Sequence, residues 1–284
     1  MPQPHVLAIH DISGVGRCSL TVALPVLSAA GIECSVLPTA VLSTHTGDFE
    51  GYTYRSLSND LLPMARHWVS LGLEFDAIYT GYLASLEQVE LIKQIIALLR
   101  SDRTLLVVDP VMADKGTLYP GFPDSFPAEM RTLCAQADLI VPNLTEAALL
   151  LGRPYEENPS VERVQSLIHA LISDIGAKAA VLTGVSLGTG ELGAITYDPD
   201  GLFGGGEQSY AGAPAIPGMY HGSGDVFSST LVAALMRGRT LFEANEIAVH
   251  FTAEAIRLTA KAGTEPRYGL NFEALLTTFS SQFS

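Results

Sequence analysis

Short apolar runs alternate along the chain with longer stretches whose apolar residues recur every three or four positions. Val6-Leu-Ala-Ile9, Cys34-Ser-Val-Leu37, Ala77-Ile-Tyr-Thr80, Leu105-Leu-Val-Val108, Leu139-Ile-Val141 and Ala179-Ala-Val-Leu182 have strand length. Between them, Thr21 to Ala30 (stopped by Gly31), Asp60 to Leu71 (stopped by Gly72) and Leu86 to Leu99 read as helices. Fully apolar short strands separated by helices imply a parallel sheet covered on both faces. The predicted fold class is therefore α/β, doubly wound and mostly parallel, with helices on both faces.

Polar residues recur just after these runs: Asp11, Asp109, Asn143 and Thr183. In an open parallel sheet the ligand crevice lies beyond the carboxyl ends of the strands, so the four are expected to converge. Any one of them alone reads equally as a turn or cap residue. Two segments break the helix–strand rhythm. Residues 112–127 hold Gly116, Gly121 and several prolines, and residues 198–215 are rich in Gly. The first is expected to be a lid loop, with a plain surface loop as the competing reading. The second is expected to be a β excursion and mobile loop, forming a lid region near 198–221 before the next helix. No linker, internal repeat or low-complexity tract interrupts the chain, which reads as one domain over 1–284.

Composition narrows the class. With 284 residues, 48% hydrophobic and 16% charged, the chain can bury a large core. A net charge of −14 argues against nucleic acid and anionic membranes as partners. It leaves room for a phosphate-bearing ligand, whose charge local amides and a divalent cation can balance. Cys18, Cys34 and Cys134 are too few and too scattered for a disulfide framework or a zinc site. No signal-peptide pattern and no apolar run of membrane-span length occur, so a cytoplasmic location is expected.

The segment Ile216-Pro-Gly-Met-Tyr-His-Gly-Ser-Gly-Asp-Val-Phe-Ser-Ser-Thr230 holds the most chemical information. Gly222-Ser-Gly-Asp225 stands where a loop becomes an apolar helix. Glycines permit backbone angles that other residues resist, and free N–H groups at a helix start favour an anion. A carboxylate one residue later would repel phosphate in a pure cradle. It makes sense as a base that takes a proton from a hydroxyl while the amides hold the phosphoryl group under attack. That combination reads as phosphoryl transfer to an alcohol. The competing reading is a plain Asp cap after a Gly-rich turn.

Taken in order, Asp109-Pro-Val-Met112 with Gly116-Thr-Leu-Tyr119, Pro142-Asn-Leu-Thr-Glu146 and Gly222-Ser-Gly-Asp225 resemble the ribokinase-like superfamily. Ser43-Thr-His-Thr-Gly47 and Thr80-Gly-Tyr-Leu83 make the chain most similar to the vitamin B6 kinases, the pyridoxal/pyridoxamine kinases, over essentially its whole length. The resemblance implies a Rossmann-like sheet and ATP-dependent phosphorylation of the hydroxymethyl group of pyridoxal, pyridoxine or pyridoxamine. It also implies Mg2+, a monovalent cation such as K+, and a homodimer. By position it makes Asp225 the base and Gly222, Ser223 and Gly224 the anion hole, with Ser223 where Thr is common. It places Asn143, Glu146, Thr183 and Gly184 at the nucleotide phosphates, and Asp109 and Glu146 at the cation, Glu146 through water. It sets Asp11, Ser13, His45, Thr46 and Tyr82 around the pyridine ring. Competing readings are core packing for Tyr82, a surface-loop histidine for His45 and a carboxylate facing the helix dipole for Glu146. His221 reads either as a nucleotide contact or as lid packing.

One stretch departs from the B6 pattern. His10-Asp-Ile-Ser-Gly-Val-Gly16 looks more like the hydroxymethylpyrimidine kinases of thiamine synthesis, whereas Ser43-Thr-His-Thr46 does not. Asp11 is expected to face the ring or a polar substituent, where a carboxylate favours the cationic aminomethyl group of pyridoxamine. Its alternative is a cap on the Gly-rich turn. Two other functions stay open: a hydroxymethylpyrimidine/phosphomethylpyrimidine kinase, and a non-catalytic vitamer-binding protein on a kinase fold. Retention of Asp225, both glycines, Asn143 and Glu146 speaks against the binder.

Overall fold

Successive residues of a strand face opposite sides of a sheet, and here the two sides build two separate cores. The computed structural model describes residues 3–188 and 190–283. In chain order the elements open with β1 (His5–Ser13), α1 (Leu20–Ala29), β2 (Glu33–Leu42), β3 (Tyr54–Ser56) and α2 (Ser58–Ser70). Next come β4 (Ala77–Thr80), α3 (Leu86–Leu99), β5 (Leu105–Val108), a small hairpin of β6 (Ala113–Asp114) and β7 (Thr117–Leu118), and α4 (Phe126–Cys134). β8 (Leu139–Ile140), α5 (Leu144–Leu151), α6 (Val161–Ser173) and β9 (Ala179–Val185) follow. The chain closes with β10 (Glu191–Tyr197), β11 (Gln208–Pro214), α7 (Ser223–Met236), α8 (Leu241–Ala262) and α9 (Leu276–Ser281).

Nine strands form one sheet in the order β11-β10-β9-β8-β5-β4-β1-β2-β3. The centre, from β9 to β2, is parallel, and β10, β11 and β3 run antiparallel at the edges. Leu7, Ile9, Ile78, Leu106, Val108, Ile140 and Leu182 pack beneath α2 to α6. Their neighbours Val6, Ala8, Ala77, Tyr79, Val107, Leu139 and Val181 pack beneath α1, α7, α8 and α9. The doubly wound sheet predicted from the apolar runs is present. α7 is buried from Val226 to Leu235, which explains why its second half, Leu231 to Met236, is apolar all round.

Several details depart from the sequence reading. Asp11 and Thr183 were placed just after strands, but both lie inside them. β1 keeps pairing with β2 past a bulge, through Ile12↔Val41 and Ser13↔Leu42, and β9 is prolonged by antiparallel pairing of Thr183 with Ala194. The expected lid at 112–127 contains the β6–β7 hairpin and the start of α4. The expected lid region near 198–221 divides. Tyr197 pairs with both Ala180, at the start of β9, and Gln208. The connection 198–207 therefore lies at the amino ends of the parallel strands, remote from the predicted crevice. Only 215–221 runs at the carboxyl ends, because β11 returns there.

Candidate active site

The carboxyl ends of β1, β4, β5, β8 and β9 and the N-terminus of α7 frame one crevice. Gly222 caps α7 in the left-handed region, with φ of 74°. A Cβ there would stand 2.0 Å from the Arg17 carbonyl oxygen, so glycine is needed for backbone angle and for space. The first intrahelical bond runs from Val226 N–H to the Gly222 carbonyl at 3.0 Å. The amides of Ser223, Gly224 and Asp225 precede it and have no partner within the helix. A Cβ on Gly224 would meet nothing within 4 Å. The turn is thus closed on its protein side and open where an anion would approach.

Asp225 occupies the first turn of α7. Burial pushes its carboxyl up to about 7; the Ser19 backbone amide pulls the other way, and the charge of Asp11 adds to the rise. Asp11, 4% exposed, accepts hydrogen bonds from the Ser13 hydroxyl (3.0 Å) and the Ser19 hydroxyl (2.5 Å). Burial raises its carboxyl as well. Ser19 is the residue that sequence reasoning missed. It sits at φ 51°, uncommon for any residue but glycine, and it serves both carboxylates at once. The only hint in the sequence is a serine closing the Gly-rich turn before α1.

Asp109 follows β5 and accepts a hydrogen bond from the Ser228 hydroxyl at 2.7 Å. Burial and the neighbouring charges of Glu146 and Asp225 hold it well above the usual carboxylate range. Glu146 and Asn143 form a capping box on α5: Asn143 Oδ1 accepts from Glu146 N–H, and Glu146 Oε2 accepts from Asn143 N–H, both at 2.9 Å. Glu146 Oε1 also accepts from Met112 N–H at 3.0 Å, and the Asn143 amide donates to the Ala113 carbonyl at 2.9 Å. The pair therefore ties the β6–β7 hairpin to α5. Burial lifts the Glu146 carboxyl to about 7 despite these bonds. Thr183 bridges Asn143 as a parallel neighbour, and Gly184 follows at φ 71°.

Among the residues expected around the acceptor, Tyr82 is half-buried with its ring 5.6 Å from Phe122, and burial raises its phenol. His45 is buried in its loop. Gly47 N–H donates to its Nδ1 at 3.1 Å, which leaves Nε2–H to donate to the Arg267 carbonyl at 2.5 Å. Burial keeps this imidazole below its ordinary value. With both nitrogens engaged, His45 can offer a flat ligand only its ring. The Thr46 side chain is half-buried at the same rim.

Among the described residues, no group of three or more His, Cys, Asp or Glu is arranged to hold a metal ion alone. Two buried carboxyls, Asp109 and Glu146, and the half-buried Asp225, all with raised values, nevertheless mark a place short of positive charge. Asp109 and Glu146 offer the hard oxygens that magnesium prefers, with phosphate and water completing its shell.

A free-amide turn followed by a poised carboxylate, at the carboxyl edge of a ribokinase-like sheet, defines a phosphotransferase with an alcohol acceptor. The sequence profile of the phosphomethylpyrimidine kinase family matches residues 24–268. The chain belongs to that family. A Bacteroides thetaiotaomicron protein assigned as a phosphomethylpyrimidine kinase, crystallised with pyridoxal, is 35% identical, with 98% of this chain and 96% of that one covered at a TM-score of 0.91. The pyridoxal kinase of Lactobacillus plantarum is also 35% identical, with 98% and 97% covered at a TM-score of 0.88. A probable thiamine biosynthetic bifunctional enzyme of rice is 26% identical over 90% of this chain. The chain spans 45% of the length of that enzyme. No helix of the described residues is long and apolar enough to cross a membrane.

Proposed function

We propose that the protein transfers the γ-phosphoryl group of ATP to the hydroxymethyl group of a B6 vitamer. The observation that carries this reading is Asp225, a carboxyl poised near neutrality beside three free amides. The acceptor hydroxyl sits between Asp225 and the γ-phosphate. Asp225 takes its proton, and the amides of Ser223, Gly224 and Asp225 stabilise the charge on the transferring group. Asn143, Thr183 and Gly184 line the nucleotide phosphates. Asp109, with Glu146 through water, holds magnesium, which neutralises charge on the phosphate oxygens when bound. The hairpin 113–118 covers this side and excludes water. Tyr82 and the His45 ring contact the faces and edge of the pyridine, and Thr46 offers it a hydrogen bond. The 35% identical relatives, one a pyridoxal kinase and one crystallised with pyridoxal, support a vitamer as acceptor.

Asp11 favours a second acceptor class. Its buried carboxylate has hydroxyl partners and suits a cationic or hydrogen-donating ring substituent, which pyridoxamine and hydroxymethylpyrimidine both carry. The test offers pyridoxal, pyridoxine, pyridoxamine, hydroxymethylpyrimidine and ribose with ATP and reads product mass. A phosphorylated vitamer is expected, with turnover reduced roughly 10²- to 10⁴-fold in Asp225→Asn. Asp11→Asn is expected to lower pyridoxamine turnover relative to pyridoxal. Turnover of the pyrimidine alone would move the acceptor to thiamine synthesis, and binding without turnover would make the protein a binder.

A further inference from the structure

Four loops meet at the rim of the crevice, and one close His–Asp contact links the proposed acceptor side to the proposed phosphoryl side. His221 Nε2 and Asp48 Oδ2, 173 residues apart in sequence, lie 2.7 Å apart. His221 immediately precedes the Gly222 cap, and Asp48 is two residues beyond Thr46. The His221 ring lies 5.1 Å from that of His45. Gly47 lies against it: a Cβ there would come within 2.7 Å of His221 Cε1. The missing side chain is what lets the imidazole rest on the loop. Asp48 itself takes φ of 58°, a left-handed turn conformation that Asp tolerates better than most non-glycine residues.

The contacts continue beyond the pair. His45 bonds the Arg267 carbonyl, and the Arg267 guanidinium lies 5.4 Å from the Phe49 ring centre and 5.3 Å from that of Tyr268. Arg17 N–H donates to the Tyr268 carbonyl at 3.2 Å, and the Arg17 carbonyl is the atom that crowds Gly222. Loops 14–19, 43–50, 215–222 and 264–269 thus close a ring of contacts, with His221–Asp48 as its direct bridge. The Asp48 side chain is 58% exposed, and so exposed a pair adds little to folding stability. Its consequence lies in the two loops that it joins.

We propose that His221 and Asp48 are positioning residues that latch the acceptor loop to the Gly222 turn, so that acceptor binding sets the anion-hole amides and each substrate tightens the other. This rests on the reading of loop 43–50 as part of the acceptor pocket. Such coupling is reciprocal and commonly amounts to about tenfold in affinity.

The test is calorimetric binding of pyridoxal to the intact protein, with and without a non-hydrolysable ATP analogue. Wild type is expected to bind pyridoxal about tenfold more tightly with the analogue present. Asp48→Asn removes the charge, and Gly47→Ala dislodges the His221 ring without changing any charge. Each is expected to reduce the enhancement to within about twofold while leaving affinity for the analogue alone and the Tm unchanged. Each is also expected to raise KM for pyridoxal more than it lowers kcat. Asp48→Glu, which keeps the carboxylate, is expected to restore part of the enhancement. No enhancement in wild type, or full enhancement in both disrupting variants, overturns the latch. If wild type binds hydroxymethylpyrimidine instead of pyridoxal, the B6 reading fails, and the same measurements with that pyrimidine decide the latch separately.

Discussion

At the scale of single residues, the two glycines of the proposed anion hole differ in what surrounds them. Gly222 is left-handed and lies against the Arg17 carbonyl, whereas Gly224 borders open space. Gly222→Ala is therefore expected to cost at least about 1–2 kcal/mol, a fall in Tm of roughly 2–8 °C for a chain of this size. Gly224→Ala should leave Tm within about 1 °C, because the methyl meets no protein atom, yet lower kcat by about tenfold or more by occupying the place of the phosphoryl group. Thermal denaturation paired with steady-state kinetics separates the two. A large stability loss in Gly224→Ala would mean that the helix start, and no anion, explains that glycine.

At the scale of elements, Glu146 joins the start of α5 to the hairpin of β6 and β7. Glu146→Gln retains one acceptor oxygen and strands one of two backbone N–H groups, at a cost of about 1–3 kcal/mol. Urea denaturation should register that loss, and hydrogen exchange should quicken at Met112. The same kind of cap on α8, Thr240 with Glu243, provides the comparison: Thr240→Ala should cost about 1 kcal/mol and leave kinetics untouched. Elements of this kind were legible to differing degrees. α3, β4 and β5 stand at the boundaries their apolar patterns predict: β4 and β5 because burial on both faces makes them continuously apolar, α3 because one buried face recurs at helical spacing. β10 was not foreseen: its first half is exposed and Gly193 breaks its alternation. Asp225, Asp109 and the Asn143–Glu146 pair were legible because each is fixed by a short local motif. Ser19, the β1 bulge and the tie from Glu146 to Met112 depend on φ angles and contacts between distant segments, which no local pattern encodes.

At the scale of the whole molecule, the crevice concentrates acidic groups in a chain already carrying −14. Asp225 and Glu146 titrate at about 7 in the folded protein, against about 4 for free carboxyls. A folded value above the unfolded one gives stability that is present below about pH 4 and lost as pH rises through 7. Without ligands these two carboxyls therefore lower Tm as pH rises from about 4 to about 7, and Asp225→Asn should remove its share of that slope. His10, which burial lowers to about 3, and His45, lowered in the same way, act in the opposite sense within this window, so the difference in slope between wild type and Asp225→Asn isolates the carboxyl. Activity should run the other way, with kcat/KM rising towards a plateau above about pH 7 as Asp225 loses its proton. Scanning fluorimetry and initial rates over the same buffers test both slopes, and identical Tm slopes in wild type and Asp225→Asn would contradict the buried-carboxylate account. Ser19 gives this arrangement a historical dimension. One strained residue steadies both Asp11 and Asp225, which the proposed function makes the acceptor-facing carboxylate and the base. On that proposal, a lineage that reshaped the Asp11 corner to admit a new acceptor would disturb its own base on the way, and taste and vigour would shift together.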